Sequence, residues 1–195
     1  MEKLLLFIKH RLVFIWHIIE WINGLVFYIL HHNSLKKTIH KVFSEELKPN
    51  YEFRILNAGD AEAITMLLNH QKKEDMRYFN PHGFDLISIK RQLKKKAFLM
   101  MGVFEEERLV GYFFLRFFAN KKCFVGRVID FDYRGRGIGG LMNRIMYNIA
   151  WELNFKCLST ISKNNQLVIN AHRKNSNMKI VKELPGDYLL IEFVK

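Results

Sequence analysis

A mixed α/β domain, with a mostly antiparallel sheet flanked by helices and an extra amphipathic helical segment at its amino end, is the fold class that three observations predict. Residues Phe98 to Phe131 hold three β-rich runs joined by short polar turns, the pattern of a meander. The last run passes through Gly135, Gly137, Gly139 and Gly140 into an apolar helical stripe, Leu141 to Leu153. Ahead of the first turn signal, Leu12 to Leu30 is nearly continuous in apolar residues.

That leading stretch is broken by His17, Glu20 and Asn23 and flanked by Lys9, His10 and Arg11 on one side and by His31, His32, Lys36 and Lys37 on the other. At about 100° per residue, Lys9, His17, Glu20, Asn23 and His31 gather on one side, which predicts an amphipathic helix with a narrow polar stripe rather than a bilayer span. Trp16, Trp21 and Tyr28 suit an interface. Three roles fit: a membrane-surface helix, a cover for the main domain or for a second copy of the chain, and a marginal transmembrane anchor. A cleaved secretory signal lacks its small-residue site, because no alanine precedes Ala58. Ser44, Glu45 and Glu46, followed by Lys48-Pro49-Asn50, mark a boundary, so residues 1–48 are a helical segment, expected to be a removable appendage, and residues 49–195 the main domain.

Tyr51 to Leu56 alternates as a strand, and Asp60 caps a helix, Ala61 to His70, with Ile64, Leu67 and Leu68 on its buried face. Gln71 to Asp85 is a polar loop whose aromatic, proline-bearing run from Arg77 to Asp85 reads as structured surface. Leu86 to Lys96 is a second helix, with Lys94, Lys95 and Lys96 where the dipole favours cations. The meander follows: Phe98 to Phe104, Leu109 to Phe117 and Cys123 to Phe131, with a turn at Glu105 to Arg108. After the glycine loop and its helix come a strand, Cys157 to Ile161, a helix, Gln166 to Lys174, and a hairpin, Met178 to Leu184 with Tyr188 to Val194, about Pro185-Gly186-Asp187.

The glycine-rich turn is a phosphate site by its chemistry. Where such a turn enters a helix, free N–H groups and the positive dipole end point the same way, and glycines admit an anion without a Cβ in its path. Arg134 and Arg136 add positive charge. Gly135, Gly137 and Gly140 formally satisfy G-x-G-x-x-G, but a dinucleotide fold wants that motif on its first strand with an acid about twenty positions on, and the strand Cys157 to Ile161 has none. A Walker A loop is excluded, since no Gly-Lys-Ser/Thr follows.

Arg134-Gly135-Arg136-Gly137-Ile138-Gly139 resembles the acyl-CoA signature of the GNAT superfamily of N-acetyltransferases, Arg/Gln-x-x-Gly-x-Gly/Ala, at every fixed position. The order of strands and helices is also similar to that family's. The resemblance implies acetyl-CoA as co-substrate, its pyrophosphate held by Arg134 to Gly139 and its pantetheine arm by the main chain of Val128, Ile129, Asp130 and Phe131; the family often has proline at the position of Phe131. A second, weaker resemblance runs through Asn165-Gln166-Leu167-Val168-Ile169-Asn170-Ala171-His172. Asn165 matches and is implied at the cofactor, Val168 replaces an alanine, and His172 stands where the family has the tyrosine that protonates the departing thiolate. The Gly-Phe that follows in the family is absent. Imidazolium can donate a proton, so the role is open to histidine.

Composition bounds the rest. With 195 residues, 49% hydrophobic, the chain is long and apolar enough for a real core. A net charge of +12 implies an anionic partner, for which CoA phosphates or an anionic membrane surface through residues 1–47 suffice. A nucleic acid is not expected, because no recognition helix or stacking motif clusters the charge. Cys123 and Cys157 fall in strands, which points to reduced, buried thiols and a cytoplasmic protein, peripheral at the inner face of a membrane. No metal is expected; His31, His32 and His40 lack ligand spacing. No general base can be read from the sequence; His82, beside Asn80 and Pro81 in the loop that overhangs the acceptor site in the family, is the candidate for contact with the acceptor, and Asp130 and Glu105 are weaker candidates, a carboxylate at a strand end usually facing solvent. The reading is transfer of an acetyl group to a primary amine, with an amino sugar of a surface-polysaccharide precursor ahead of a protein or polyamine amine; the competing class is a non-catalytic membrane-associated module, and a homodimer is compatible with both.

Overall fold

The structure, a computed structural model, describes residues 13–46, 48–172 and 177–195. It opens with a 33-residue helix α1 (Val13–Glu45). Then come β1 (Glu52–Ile55), α2 (Ala61–His70), the four-residue α3 (Lys73–Met76), α4 (Leu86–Leu93), β2 (Phe98–Glu105), β3 (Arg108–Phe117), β4 (Lys122–Ile129), α5 (Ile138–Glu152), β5 (Lys156–Ser162), α6 (Gln166–His172), β6 (Met178–Leu184) and β7 (Tyr188–Phe193). The strands form one seven-stranded sheet in the order β1-β2-β3-β4-β5-β7-β6. Every neighbouring pair is antiparallel except β4 and β5.

Alternation along the strands splits the core in two. Met101, Val103, Phe113, Leu115 and Val125 pack on one face against Met142, Ile145 and Ile149 of α5, and Phe27, Ile39 and Val42 of α1 join them. Met100, Tyr112, Phe114 and Val128 face the other way, onto Ile64, Leu67 and Leu68 of α2 and Ile89 of α4. A strand's side chains point to opposite faces in turn, so each strand supplies both cores.

Helix α1 turns part of its polarity inward. Glu20 bonds Lys95 at 2.7 Å and Arg116 at 2.6 Å. Asn23 donates to the Phe117 carbonyl at 2.9 Å and accepts from the Ala119 amide at 2.8 Å, which closes both halves of its side-chain amide. Of the expected stripe, Glu20 and Asn23 therefore face the domain, His17 is exposed and Lys9 lies outside the described residues, while Phe14, Trp21 and Ile29 stand 77%, 67% and 70% exposed. By length and composition α1 could cross a membrane. The expected removable appendage contributes three buried side chains to the core facing α5.

Among the described residues, element ends depart from expectation by two residues or more at α4, α5 and β4, each with a local cause, and the expected end of α6 at Lys174 lies outside the described residues. Helix α4 stops at Leu93 because Lys94 and Lys95 turn back onto Arg91 and Gln92. Helix α5 starts at Ile138, whose side chain is buried, ahead of the apolar stripe from Leu141. Strand β4 ends at Ile129 instead of Phe131, because the Asp130 carboxylate accepts from the Asp132 amide and winds Phe131–Tyr133 into a 3₁₀ turn.

Candidate functional site

Strands β4 and β5 pair only from Lys122 to Phe124 against Lys156 to Leu158 and then part. Beyond Phe124, β4 keeps its register with β3 on one side, up to Gly111 opposite Ile129, while its other edge has no strand partner among the described residues. Backbone groups on such an edge need partners. A cleft of about 570 Å³ opens there, walled by Val125 to Ile129, by Ser159 to Ser162, by Asn165, Val168 and Ala171 of the α6 region, and by Tyr78 and Phe79.

The glycine loop closes one end. Gly135 and Gly137 have φ of +79° and +81°, a region L side chains rarely adopt, and a Cβ at Gly135 would meet nothing within 4 Å. Gly137 is the N-cap of α5 and offers no side-chain cap, so the first amides of that helix have no side-chain cap among the described residues. Arg134 reaches Asp75 at 2.6 Å and Gln71 at 3.3 Å, bracing the loop against α3. Arg136 turns to the Asp132 carbonyl and lies over the Tyr133 ring. Lys48 donates to the Arg136 carbonyl at 2.6 Å.

Of the residues expected at the cofactor, Val128, Ile129, Arg134, Gly135, Gly137, Gly139 and Asn165 wall the cleft, whereas Asp130, Phe131, Arg136 and Ile138 do not. Phe131 stacks on His70, its centroid 4.8 Å away, and sits in a 3₁₀ turn, so it offers no extended main chain. Asp130, expected to face solvent, is buried and paired with Arg108 at 2.9 Å, which makes it a brace for the strand end. Glu105 accepts from the Tyr133 hydroxyl at 2.8 Å. Asn165 accepts from the Val168 amide at 3.2 Å, a capping bond that sets the start of α6.

His82 lies off the cleft wall. Its Nδ1 is 2.8 Å from the Gly83 carbonyl, which can only accept, so Nδ1 carries the proton and Nε2 accepts from the Tyr112 hydroxyl at 2.8 Å. Burial, opposed by the Gly83 contact and aided by the charge of Lys95, holds its pKa below the usual histidine value. Burial likewise pushes the Tyr112 phenol up. The pair pins the loop to the sheet amid Phe79, Phe84, Phe98 and Phe114. The backbone of His172 ends α6, and its side chain lies outside the described residues.

Sequence reasoning missed Lys48, Arg127, Asn143 and Tyr147. Arg127 lies on the cleft wall and donates from Nε to Asn143 Oδ1 at 2.8 Å. Its signal was available, as a charge on a strand where Cys123, Val125 and Ile129 mark the apolar face. Among the described residues, no three His, Cys, Asp or Glu side chains gather as a metal site. Cys123 and Cys157 are free and buried, and burial pushes both thiols up.

No protein-family model and no curated protein sequence matches the chain. Solved structures do. The PaiA N-acetyltransferase from Thermoplasma acidophilum, solved with coenzyme A, superposes with a TM-score of 0.64 at 16% identity over 74% of this chain and 99% of its own. An acetyl transferase from Salmonella typhimurium that modifies the N-terminal serine of a 50S ribosomal subunit protein gives 0.57 at 16% identity over 74% and 93%. A spermidine N-acetyltransferase chimera from Vibrio cholerae and hSSAT gives 0.54 at 16% identity over 73% and 92%. The parted strands, the glycine loop and the order of elements make this the fold of the GNAT N-acetyltransferases.

Proposed function

We propose that this chain is an acyl-CoA-dependent N-acyltransferase that takes acetyl-CoA as co-substrate and a primary amine as acceptor. One observation carries the reading: the open edge of β4 and the positive-φ glycine loop face the same cleft. The loop amides from Gly135 to Gly140, with Arg134 as their brace, would hold a pyrophosphate, and the main chain of Val128 and Ile129 would pair with an extended amide-bearing arm. A thioester is the chemistry the co-substrate brings. The amine nitrogen attacks its carbonyl carbon, the C–N bond forms, the C–S bond breaks, and the proton lost by nitrogen ends on the thiol. Backbone N–H groups of β4 are the available donors for the carbonyl oxygen, and His172 is our candidate for the proton on sulfur.

For the acceptor, the amino sugar of a surface-polysaccharide precursor remains our choice over a protein or polyamine amine. Its entry is on the α2 and α4 side, where Tyr78 and Phe79 wall the cleft. We place the enzyme in the cytoplasm with α1 at the inner face of an anionic membrane, since the exposed side of α1 is apolar and basic residues flank it. The deciding experiment is titration calorimetry with acetyl-CoA, followed by a thiol-release assay over amino sugars, polyamines and peptides. Binding of acetyl-CoA with amine-dependent thiol release is expected. Binding without release from any amine supports the non-catalytic module, and absence of binding overturns the reading.

A further inference from the structure

The cleft holds a charge, Arg127, that neither the glycine loop nor the open edge of β4 uses. On β4 the residues directed toward α5 are Cys123, Val125, Arg127 and Ile129, so Arg127 occupies a place its neighbours give to apolar side chains. A Cβ on Gly139 would come within 2.9 Å of an Arg127 guanidinium nitrogen, and Nε bonds Asn143, so the group lies along the first turns of α5 on the cleft wall. Gly139, Asn143 and Tyr147 are four residues apart and share one side of that helix. The Tyr147 hydroxyl is buried with no hydrogen-bond partner among the described residues, although its ring stacks on Phe193 at 4.1 Å and also walls the cleft.

These groups lack a counterpart. Among the described residues no carboxylate pairs with Arg127, and the acid on the cleft wall, Asp75, is held by Arg134 at 2.6 Å. Burial pulls the Arg127 pKa down and pushes the Tyr147 phenol up, each group's charge opposing the other's shift. A cation drawn out of water without a counter-ion, and a buried hydroxyl without an acceptor, both cost free energy that a ligand oxygen would recover. A carboxylate supplies two oxygens, enough for a forked guanidinium and a phenolic donor together.

We infer that the acyl group received by this cleft carries a terminal carboxylate, bound by Arg127 and Tyr147 with Asn143 as the orienting partner; the donor class is the CoA half-thioester of a short dicarboxylic acid. The inference rests on the acyl-CoA reading and names its donor. The acceptor is a poorer source of the anion, because Arg127 lies on the α5 side of the sheet, whereas Val128, on the other side, packs in the core under α2 and α4. The pyrophosphate is a poorer source because the amides of Gly135 to Gly140 and the Lys48 ammonium stand at the loop. In the transfer the carboxylate passes through unchanged, so an amine that began as a cation ends as an amide carrying a negative charge.

Calorimetric titration of the full chain with CoA, butyryl-CoA and succinyl-CoA tests this, the two thioesters having the same acyl length. Wild type should bind succinyl-CoA at least about tenfold tighter than butyryl-CoA, the scale of one charge-assisted pair. Arg127→Met should abolish the difference while CoA itself binds within about twofold of wild type, and Tyr147→Phe should narrow it. Equal affinities for the two thioesters in wild type overturn the inference whether or not the variants fold. An Arg127→Met protein that loses CoA as severely as succinyl-CoA also overturns it, by assigning the guanidinium to the CoA phosphates. If wild type binds none of the three, the donor reading itself has failed.

Discussion

Lys48 donates to the main-chain carbonyl of Arg136 at 2.6 Å, so the linker leaving α1 ends against the glycine loop. The ammonium also stands 3.5 Å from where a Cβ of Gly137 would be, which puts a positive charge beside the proposed pyrophosphate site. Removing it takes away both a bond that fixes the loop and a favourable charge. Lys48→Met should weaken CoA binding by roughly tenfold, in line with a lost hydrogen bond to a charged group. Calorimetry reads this directly, and an unchanged affinity would show that the loop is shaped without the linker.

Gly137 combines a φ of +81° with the cap position of α5. Gly137→Ala should lower stability by about 1 kcal/mol through the left-handed backbone alone. Gly137→Asp adds a negative charge at the proposed anion site and should lose acetyl-CoA binding almost completely while remaining folded. Thermal unfolding and calorimetry on the pair separate strain from charge: if the aspartate variant binds acetyl-CoA as well as the alanine one, no anion sits at this loop.

How much of this was legible follows from what a sequence pattern can carry. Helix α2 ran from Ala61 to His70 as read, and the meander strands lay within a residue or two, because alternation is local; the expected cap failed, since the Asp60 carboxylate is taken by Arg54 and the Asn57 amide and makes no side-chain cap bond to α2. The Lys48–Arg136 contact spans 88 positions, and nothing local announces it. Helical spacing grouped His17, Glu20, Asn23 and His31, of which His17 is exposed, because spacing tells which residues share a side, not whether that side faces water. Only the partners Lys95, Arg116 and Phe117, far along the chain, turn Glu20 and Asn23 inward. Arg127 shows the converse: a charge on an apolar strand face was visible, and only the parting of β4 from β5 gave it meaning.

His82 ties stability to pH. Its folded pKa is depressed by burial, so the neutral ring is favoured in the fold, while the unfolded chain takes up a proton near about 6.5. The stability it contributes is complete above that value and is lost progressively as pH falls from it through the lower folded pKa. Wild type should therefore drop in Tm between pH 7 and 5 more steeply than His82→Gln, which keeps polar atoms near Gly83 and Tyr112 but does not titrate. Parallel slopes for the two proteins would remove His82 as the source.

His172, the last residue of α6, is the proposed proton donor to sulfur. If it protonates sulfur, His172→Phe should lower kcat by roughly 10² to 10⁴ with acetyl-CoA affinity nearly unchanged, and His172→Tyr should recover much of the loss. Near-normal turnover in the phenylalanine variant would leave solvent as the proton source.

The outward side of α1 decides between a membrane and a second protein. Phe14, Trp21 and Ile29 are exposed, and the helix cannot turn them inward without breaking the Glu20 and Asn23 bonds to the domain. The same bonds argue against a span, because they hold Lys95, Arg116 and the end of β3 level with the middle of the apolar stretch, where a bilayer core would exclude them. A helix lying in the interface would keep every bond and bury the exposed apolar side chains among acyl chains, with Lys36 and Lys37, exposed on the same helix, available to anionic headgroups. The double variant Trp21→Glu, Ile29→Glu should thus cosediment with phosphatidylglycerol vesicles far less than wild type, with unchanged Tm and acetyl-CoA affinity, and binding by wild type should fall with salt. Deleting residues 1–46 is a different perturbation, since it strips Phe27, Ile39 and Val42 from the core and should lower Tm sharply. Wild type that ignores vesicles but sediments as a dimer, dissociated by the same two glutamates, would give this face to a second copy of the chain.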